Sequence, residues 1–231
     1  MESKDIVIVD IFRDIVNEMR ETALITSSSE VSGRYTLISD NNLKEDDVIS
    51  INDIDYLVVS PTSTQFEIDA DTGLDFSGNT WQAKAPYYMH GHPIEIVNRL
   101  NKKNKGIYSY QKYPLIALFQ DFEEAINPDE KNYASISPTF IIANLTMPEI
   151  KADDRYDRNF RNILYPLLYD FINEMHLSMK FSILRKKDIA YTKIDRLYWG
   201  SQEGQSNLQD DYIDAIEINI NNLLVKELNC K

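Results

Sequence analysis

Residues 157–175 read DRNFRNILYPLLYDFINEM, and the spacing of their apolar residues decides how the rest of the chain is read. Phe160, Ile163, Leu164, Leu167, Leu168, Phe171, Ile172 and Met175 recur at intervals of three and four, the period of a helix that buries one face. Pro166 falls inside this pattern. It lacks an amide proton and crowds the preceding turn, so a kink is expected near Asn162. A helix face this apolar needs a sheet to cover. YPLIALFQ at 113–120 and TFIIANL at 139–145 are nearly continuous in apolar residues, and they predict neighbouring central strands under that helix.

Working outward, residues 4–25 place Ile8, Ile11, Phe12, Ile15, Val16, Met19 and Ala23 at helical spacing and predict an amphipathic opening helix. The period then changes. Short β-branched and aromatic runs at 35–39, 48–51, 56–60 and 65–70 are punctuated by Asn41-Asn42, Asn52-Asp53, Pro61 and Asp71-Thr72-Gly73, which predicts an antiparallel meander over 35–70. Residues 71–91 read as a long loop rich in aromatics. Pro93 suits a first helical position, and Ile94, Val97 and Leu100 give the helix that follows its buried stripe. Residues 123–133 read as a polar turn, 180–185 and 212–220 as strands, and 200–211 as a second long loop. The last strand is expected to close a sheet at the chain end. The sum is one α+β domain over 1–231, a mixed and mainly antiparallel sheet flanked by helices, with no βαβ series built on a glycine-rich turn.

The chain has 231 residues, enough to bury a core without disulfides or metal. With 37 acidic against 24 basic residues the net charge is −13, which opposes a broad nucleic-acid grip. The lone Cys230 permits no internal disulfide and fits a protein made in a cytoplasm. No stretch reads as a signal peptide or a membrane span.

Candidate chemistry is sparse. His90-Gly91-His92 places two imidazoles one residue apart, which a metal site could share, and a small metal-dependent enzyme is the reading that follows. Such a site needs further ligands, and the only other histidine, His176, lies on the long apolar helix. A helix start with an imidazole at its cap is the simpler reading, and neither catalytic residues nor a cofactor is expected. No Walker loop or nucleophile elbow is present. Arg155, Arg158 and Arg161 open the long helix, where cations oppose the helix dipole. They call for a partner: Asp153, Asp154 and Asp157 nearby, or a phosphate or acidic surface from outside. The 14 tyrosines, 9 phenylalanines and 2 tryptophans are the stronger signal, because aromatic residues in polar loops anchor protein interfaces. Trp81, Tyr87, Tyr88, Tyr198 and Trp199 are the contact candidates, and the segment from Tyr198 to Asp211 is expected to reach a neighbouring subunit.

The succession PYYMHGHPIEIVNRLNKKN, KYPLIALFQDFEE, SPTFIIANLT, DRYDRNFRNILYPLLYDFI and DYIDAIEINI resembles the neck and tail-completion ring proteins of tailed bacteriophages, most of all those of the crAss-like group. The resemblance runs from about residue 87 to 220 and lies in phrasing and element order. It implies a tail-terminator-like α+β subunit of the virion that closes into a ring of about six or twelve copies around the DNA channel. Its partners would be copies of itself, the adjoining portal, neck or tail proteins, and DNA passing without sequence-specific contact. A portal-proximal adaptor ring is the alternative placement. An acidic lumen would repel phosphate and let DNA slide.

Overall fold

The computed structural model describes residues 8–41, 43, 48–103, 112–120, 124–126, 133–181, 188–197 and 211–226. The fold is α+β, with helices set against sheets that are mostly antiparallel. Where the sequence points to a single domain carrying an extended meander, the chain separates into two compact units. Arg20–Ala85 forms one, and Met1–Met19 with Pro86–Lys231 forms the other. The reason is that the meander has enough inward-facing aromatic and β-branched residues to build a core of its own.

The larger unit is built on five strands in the order β13 (Ile189–Ile194), β14 (Ile213–Ile220), β12 (Thr139–Leu145), β9 (Leu115–Phe119) and β8 (Tyr87–Gly91). The 113–120 and 139–145 runs are indeed central neighbours, Ile116 facing Ile142 and Leu118 facing Phe140. Alternation sorts their side chains to two faces. Ile116, Leu118, Phe140, Ile142, Ile216 and Ile218 point to a core shared with α1 (Ile8–Glu18) and with Phe160, Leu164, Leu168, Phe171 and Met175 of the long helix. Leu115, Ala117, Ile141, Ala143 and Ala215 point the other way and meet Ile96, Val97 and Leu100 of α2 (Pro93–Lys103). Both faces are therefore covered. Phe12 lies at the centre of the first core, its ring 4.7 Å edge-on from Phe140 and 5.3 Å stacked on Phe181.

The long helix has three parts: α3 (Ala152–Arg155), a π-helical stretch (Tyr156–Leu164) and α4 (Tyr165–Leu177). The irregularity expected near Asn162 takes the form of π register, with the Tyr165 amide donating to the Phe160 carbonyl five residues back, and Pro166 sits in the first turn of α4. Several expectations are corrected. The opening helix ends at Glu18, because β1 (Thr22–Leu24) takes the chain into a strand. Residues 71–91 are not a loop: they contain β7 (Thr80–Ala83) and β8, the latter parallel to β9. With α2 between them, β8 and β9 make one βαβ unit. The 123–133 turn contains β10 (Glu124–Ile126), which joins β11 (Tyr133–Ile136) and β15 (Leu223–Lys226) in a small sheet. The 212–220 strand is interior, between β13 and β12, and does not end its sheet. Most of 180–185 and of 200–211 lies outside the described residues.

The smaller unit is a barrel. Its seven strands run β1, β7, β4 (Val48–Ile51), β5 (Ile54–Val59), β6 (Gln65–Asp69), β3 (Arg34–Ile38) and β2 (Ser27–Val31). Because β1 and β2 are successive pieces of one bent strand, the first and last members of that order join and the sheet closes. At the bend the Ile25 amide donates to the Asn79 carbonyl and the Thr26 amide to the Ile38 carbonyl, so each side stays paired. Ser32 and Gly33, and likewise Asn52 and Asp53, have positive φ, the conformation two-residue hairpin turns demand. Ile25, Tyr35, Leu37, Ile49, Ile51, Val58, Phe66, Ile68 and Trp81 fill the interior. Among the described residues every strand of this unit except β1 and β2 has a partner on both sides.

Two outcomes follow. Leu118 is fully buried between β12 and the helices, so Leu118→Asp should yield insoluble protein, checked by soluble expression and thermal melting. In the barrel, the Glu30 carboxylate accepts the Gly73 and Gly33 amides, each at 3.1 Å, and these bonds hold its pKa below the usual glutamate range. A lowered folded pKa adds stability that is present above the unfolded value and lost as pH falls through the folded one. Acidification below about pH 4 should therefore lower the melting temperature more in the wild type than in Glu30→Gln.

Candidate assembly surface

The residues singled out by the sequence do not converge on one site. Trp81 is corrected from contact residue to core: it is fully buried in the barrel, edge-on to Phe66, and its indole N–H donates to Ser39 Oγ at 2.8 Å. Tyr87 is half-buried, with Lys103 Nζ 3.7 Å above its ring. Tyr88 donates its hydroxyl to the Val9 carbonyl at 3.1 Å, tying α1 to β8, and burial pushes its phenol well above the usual range. Tyr198 and Trp199 lie outside the described residues. His90 Nδ1 is 3.2 Å from Gln120 Nε2, and burial, then the Arg99 and Arg13 charges, hold its pKa below the ordinary imidazole value. His92 Nδ1 accepts the Ile94 amide at the start of α2, and His176 is exposed on α4. Among the described residues no group of three His, Cys, Asp or Glu is placed to hold a metal.

The three arginines part company. Arg158 and Arg161 are exposed, and Arg161 lies 3.7 Å from Asp157, one turn back. Arg155 is buried, and its partner is not among the local acids. Its Nη1 lies 3.3 Å from Oδ1 of Asp214, a fully buried carboxylate on β14. Asp214 also accepts from Asn159 Nδ2 at 3.0 Å and from the Arg196 amide at 3.1 Å. Asn144 Nδ2 donates to Asn159 Oδ1 at 2.7 Å, and Arg196 Nη2 to the Pro148 carbonyl at 2.7 Å. This polar cluster fixes the π-helical stretch and two turns to one end of the sheet. A carboxylate so enclosed needs its cation and its amides, because unpaired it would bear the full cost of leaving water.

The exposed chemistry is aromatic, and it sits where the sequence gives little warning. Tyr156 and Tyr165 come from the long helix and Tyr191 from β13. Tyr165 packs edge-on to both of the others at ring distances of 6.4 Å. Tyr169, one turn further along α4, is 60% exposed, Tyr191 49% and Tyr156 43%. Lys193 Nζ lies 4.4 Å over the Phe160 ring and 5.4 Å over that of Tyr156, and 3.1 Å from Asp195. Burial, with the neighbouring phenols of Tyr156 and Tyr191 adding to it, raises the pKa of Tyr165. These side chains border β13, the outermost strand of its sheet. Rings with a polar tip, half-buried beside a strand edge, can give a partner large contact area at little cost in side-chain entropy. In sequence they lie on a helix face and an ordinary strand, so only tertiary structure gathers them.

Removing the guanidinium from the buried cluster should be costly. Arg155→Ala is expected to destabilise the protein by about 3–5 kcal/mol, measured by denaturant unfolding, while Arg155→Met with Asp214→Leu should recover most of that loss. No helix among the described residues is long and apolar enough to cross a membrane. Compared with protein-family models and with curated proteins, the chain matches no family and no characterised relative.

Proposed function

We propose that the chain is a structural subunit of a tailed-bacteriophage particle, a ring member of the head-to-tail connector or tail that works by assembling around the DNA channel. The observation that carries the reading is the surface of exposed Tyr156, Tyr169 and Tyr191 around half-buried Tyr165 beside a sheet edge, a feature suited to binding protein rather than to turning over a small substrate. The closed barrel adds a second compact body in the same chain, and the net charge of −13 suits a wall along which DNA moves without sticking. The order of apolar phrases between residues 87 and 220 supplies the phage context.

The test is assembly. Tyr156→Ala with Tyr169→Ala removes two exposed rings and leaves the cores intact, so the subunit should fold with an unchanged melting temperature. Phage made with this variant should accumulate heads without complete tails in electron micrographs and lose infectivity at least tenfold. Intact particles with normal infectivity would remove this surface from the proposal. Particles purified from wild-type phage that lack the chain altogether would overturn it.

A further inference from the structure

We propose that the outer edge of β13 pairs with the same edge of a second copy of this chain, joining two five-stranded sheets across a two-fold axis. The hydrogen-bond pattern shows which backbone groups face outward. The Asn221 amide donates to the Asp188 carbonyl, so residues 188 and 221 form a bonded pair, and ladder alternation makes Ala190, Thr192 and Ile194 the residues bonded to β14. The other side of β14 agrees, because Ile220 donates to the Pro138 carbonyl and belongs to the β12 ladder. The amides and carbonyls of Ile189, Tyr191 and Lys193 therefore face away from the sheet, and among the described residues no strand pairs with them.

These outward positions are symmetric about Tyr191. An antiparallel copy sets Tyr191 against its own counterpart and Ile189 against Lys193 on either side, making about six inter-strand hydrogen bonds. No like charges stand directly opposite, and each Lys193 stem faces an isoleucine. Tyr191 would lie beside its counterpart on the helix-covered face, flanked by Tyr165. On the opposite face the inward-bonded residues Ala190 and Thr192 are small and exposed, and they leave the approach open. Among the described residues nothing blunts this edge in the usual ways: β13 has no proline, and Lys193 is folded back over Phe160. The other described edge of this sheet differs, because Arg99 Nη1 reaches the outward carbonyl of His90 at 3.5 Å on β8. The inference goes beyond the ring reading and does not depend on it. Ring seams join unlike surfaces, whereas this contact joins like to like and describes the free subunit.

Sedimentation of the purified chain should show a monomer–dimer equilibrium. Tyr191→Lys, which sets like charges across the axis, should weaken it at least tenfold. Tyr191→Pro removes only an outward amide and should abolish it without lowering stability much, whereas Thr192→Pro, which removes a bond to β14, should destabilise the fold. In a Cys230→Ser background, a short thiol cross-linker should join Tyr191→Cys to itself. Thr192→Cys alone should not cross-link, but it should when mixed with Ala190→Cys. A monomer at every concentration, a dimer unaffected by Tyr191→Lys, or the reverse cross-linking pattern would each overturn the proposal. Should Tyr191→Pro fail to fold, Tyr191→Lys and the cross-links still decide.

Discussion

The middle strands of the larger unit, β9, β12 and β14, carry apolar side chains on both faces, and a sheet of that kind cannot have one side in water. From this requirement the architecture follows. The long helix and α1 cover Ile116, Leu118, Phe140 and Ile142, and α2 covers Leu115, Ala117, Ile141 and Ala143. The crossover that places α2 on its face also makes β8 run parallel to β9, the one parallel pair in a sheet otherwise antiparallel among the described residues. The single acidic side chain on the helix side of β14, Asp214, is kept from conflicting with these apolar surroundings by Arg155, Asn159 and a backbone amide. A polar cluster of this sort adds little to net stability, yet it sets where the long helix docks along the strands.

How far the sequence revealed this depends on how strongly each segment obeys one period. The long helix and the central strands are legible because burial imposes a regular pattern on nearly every position. Strand β2, with the sequence SSSEV, is polar and mostly exposed, and its pairing is set by the two-residue turn at Ser32-Gly33 rather than by apolar alternation. The short β7 is hidden for a related reason: among loop-like neighbours Trp81 reads as a surface aromatic, and only the closed barrel turns it inward. The π register has no simple signature beyond Pro166, which marks its place and not its form.

The functional residues divide along the same line. Loop aromatics draw attention in a sequence because they look wasted on solvent, but Trp81 and Tyr88 are spent on packing and on holding α1. The exposed tyrosines of the cluster, Tyr156, Tyr169 and Tyr191, come from regular elements, where an aromatic is expected to be buried and so raises no question. Arg155 is a similar case. Local acids explain it in the sequence, while its true partner lies 59 positions later and becomes its neighbour only when β14 inserts beside β12. Contacts between distant positions leave no local trace in a single sequence.

The barrel occupies a break in the chain of its host unit, between α1 and β8, and its two ends meet: the Ala83 amide donates to the Glu21 carbonyl at 2.8 Å. To the host, Arg20–Ala85 is a loop that must be closed before α1 can reach the sheet. Closing a flexible excursion of that length costs about 4 kcal/mol of chain entropy beyond a constant term. A compact body whose own ends are tied together reduces this to the cost of a short connection. The inserted body thus acts as an entropic clasp for the helix that precedes it. A stretch tied off in this way is also a module: it can be exchanged for another with adjoining ends without rethreading the host.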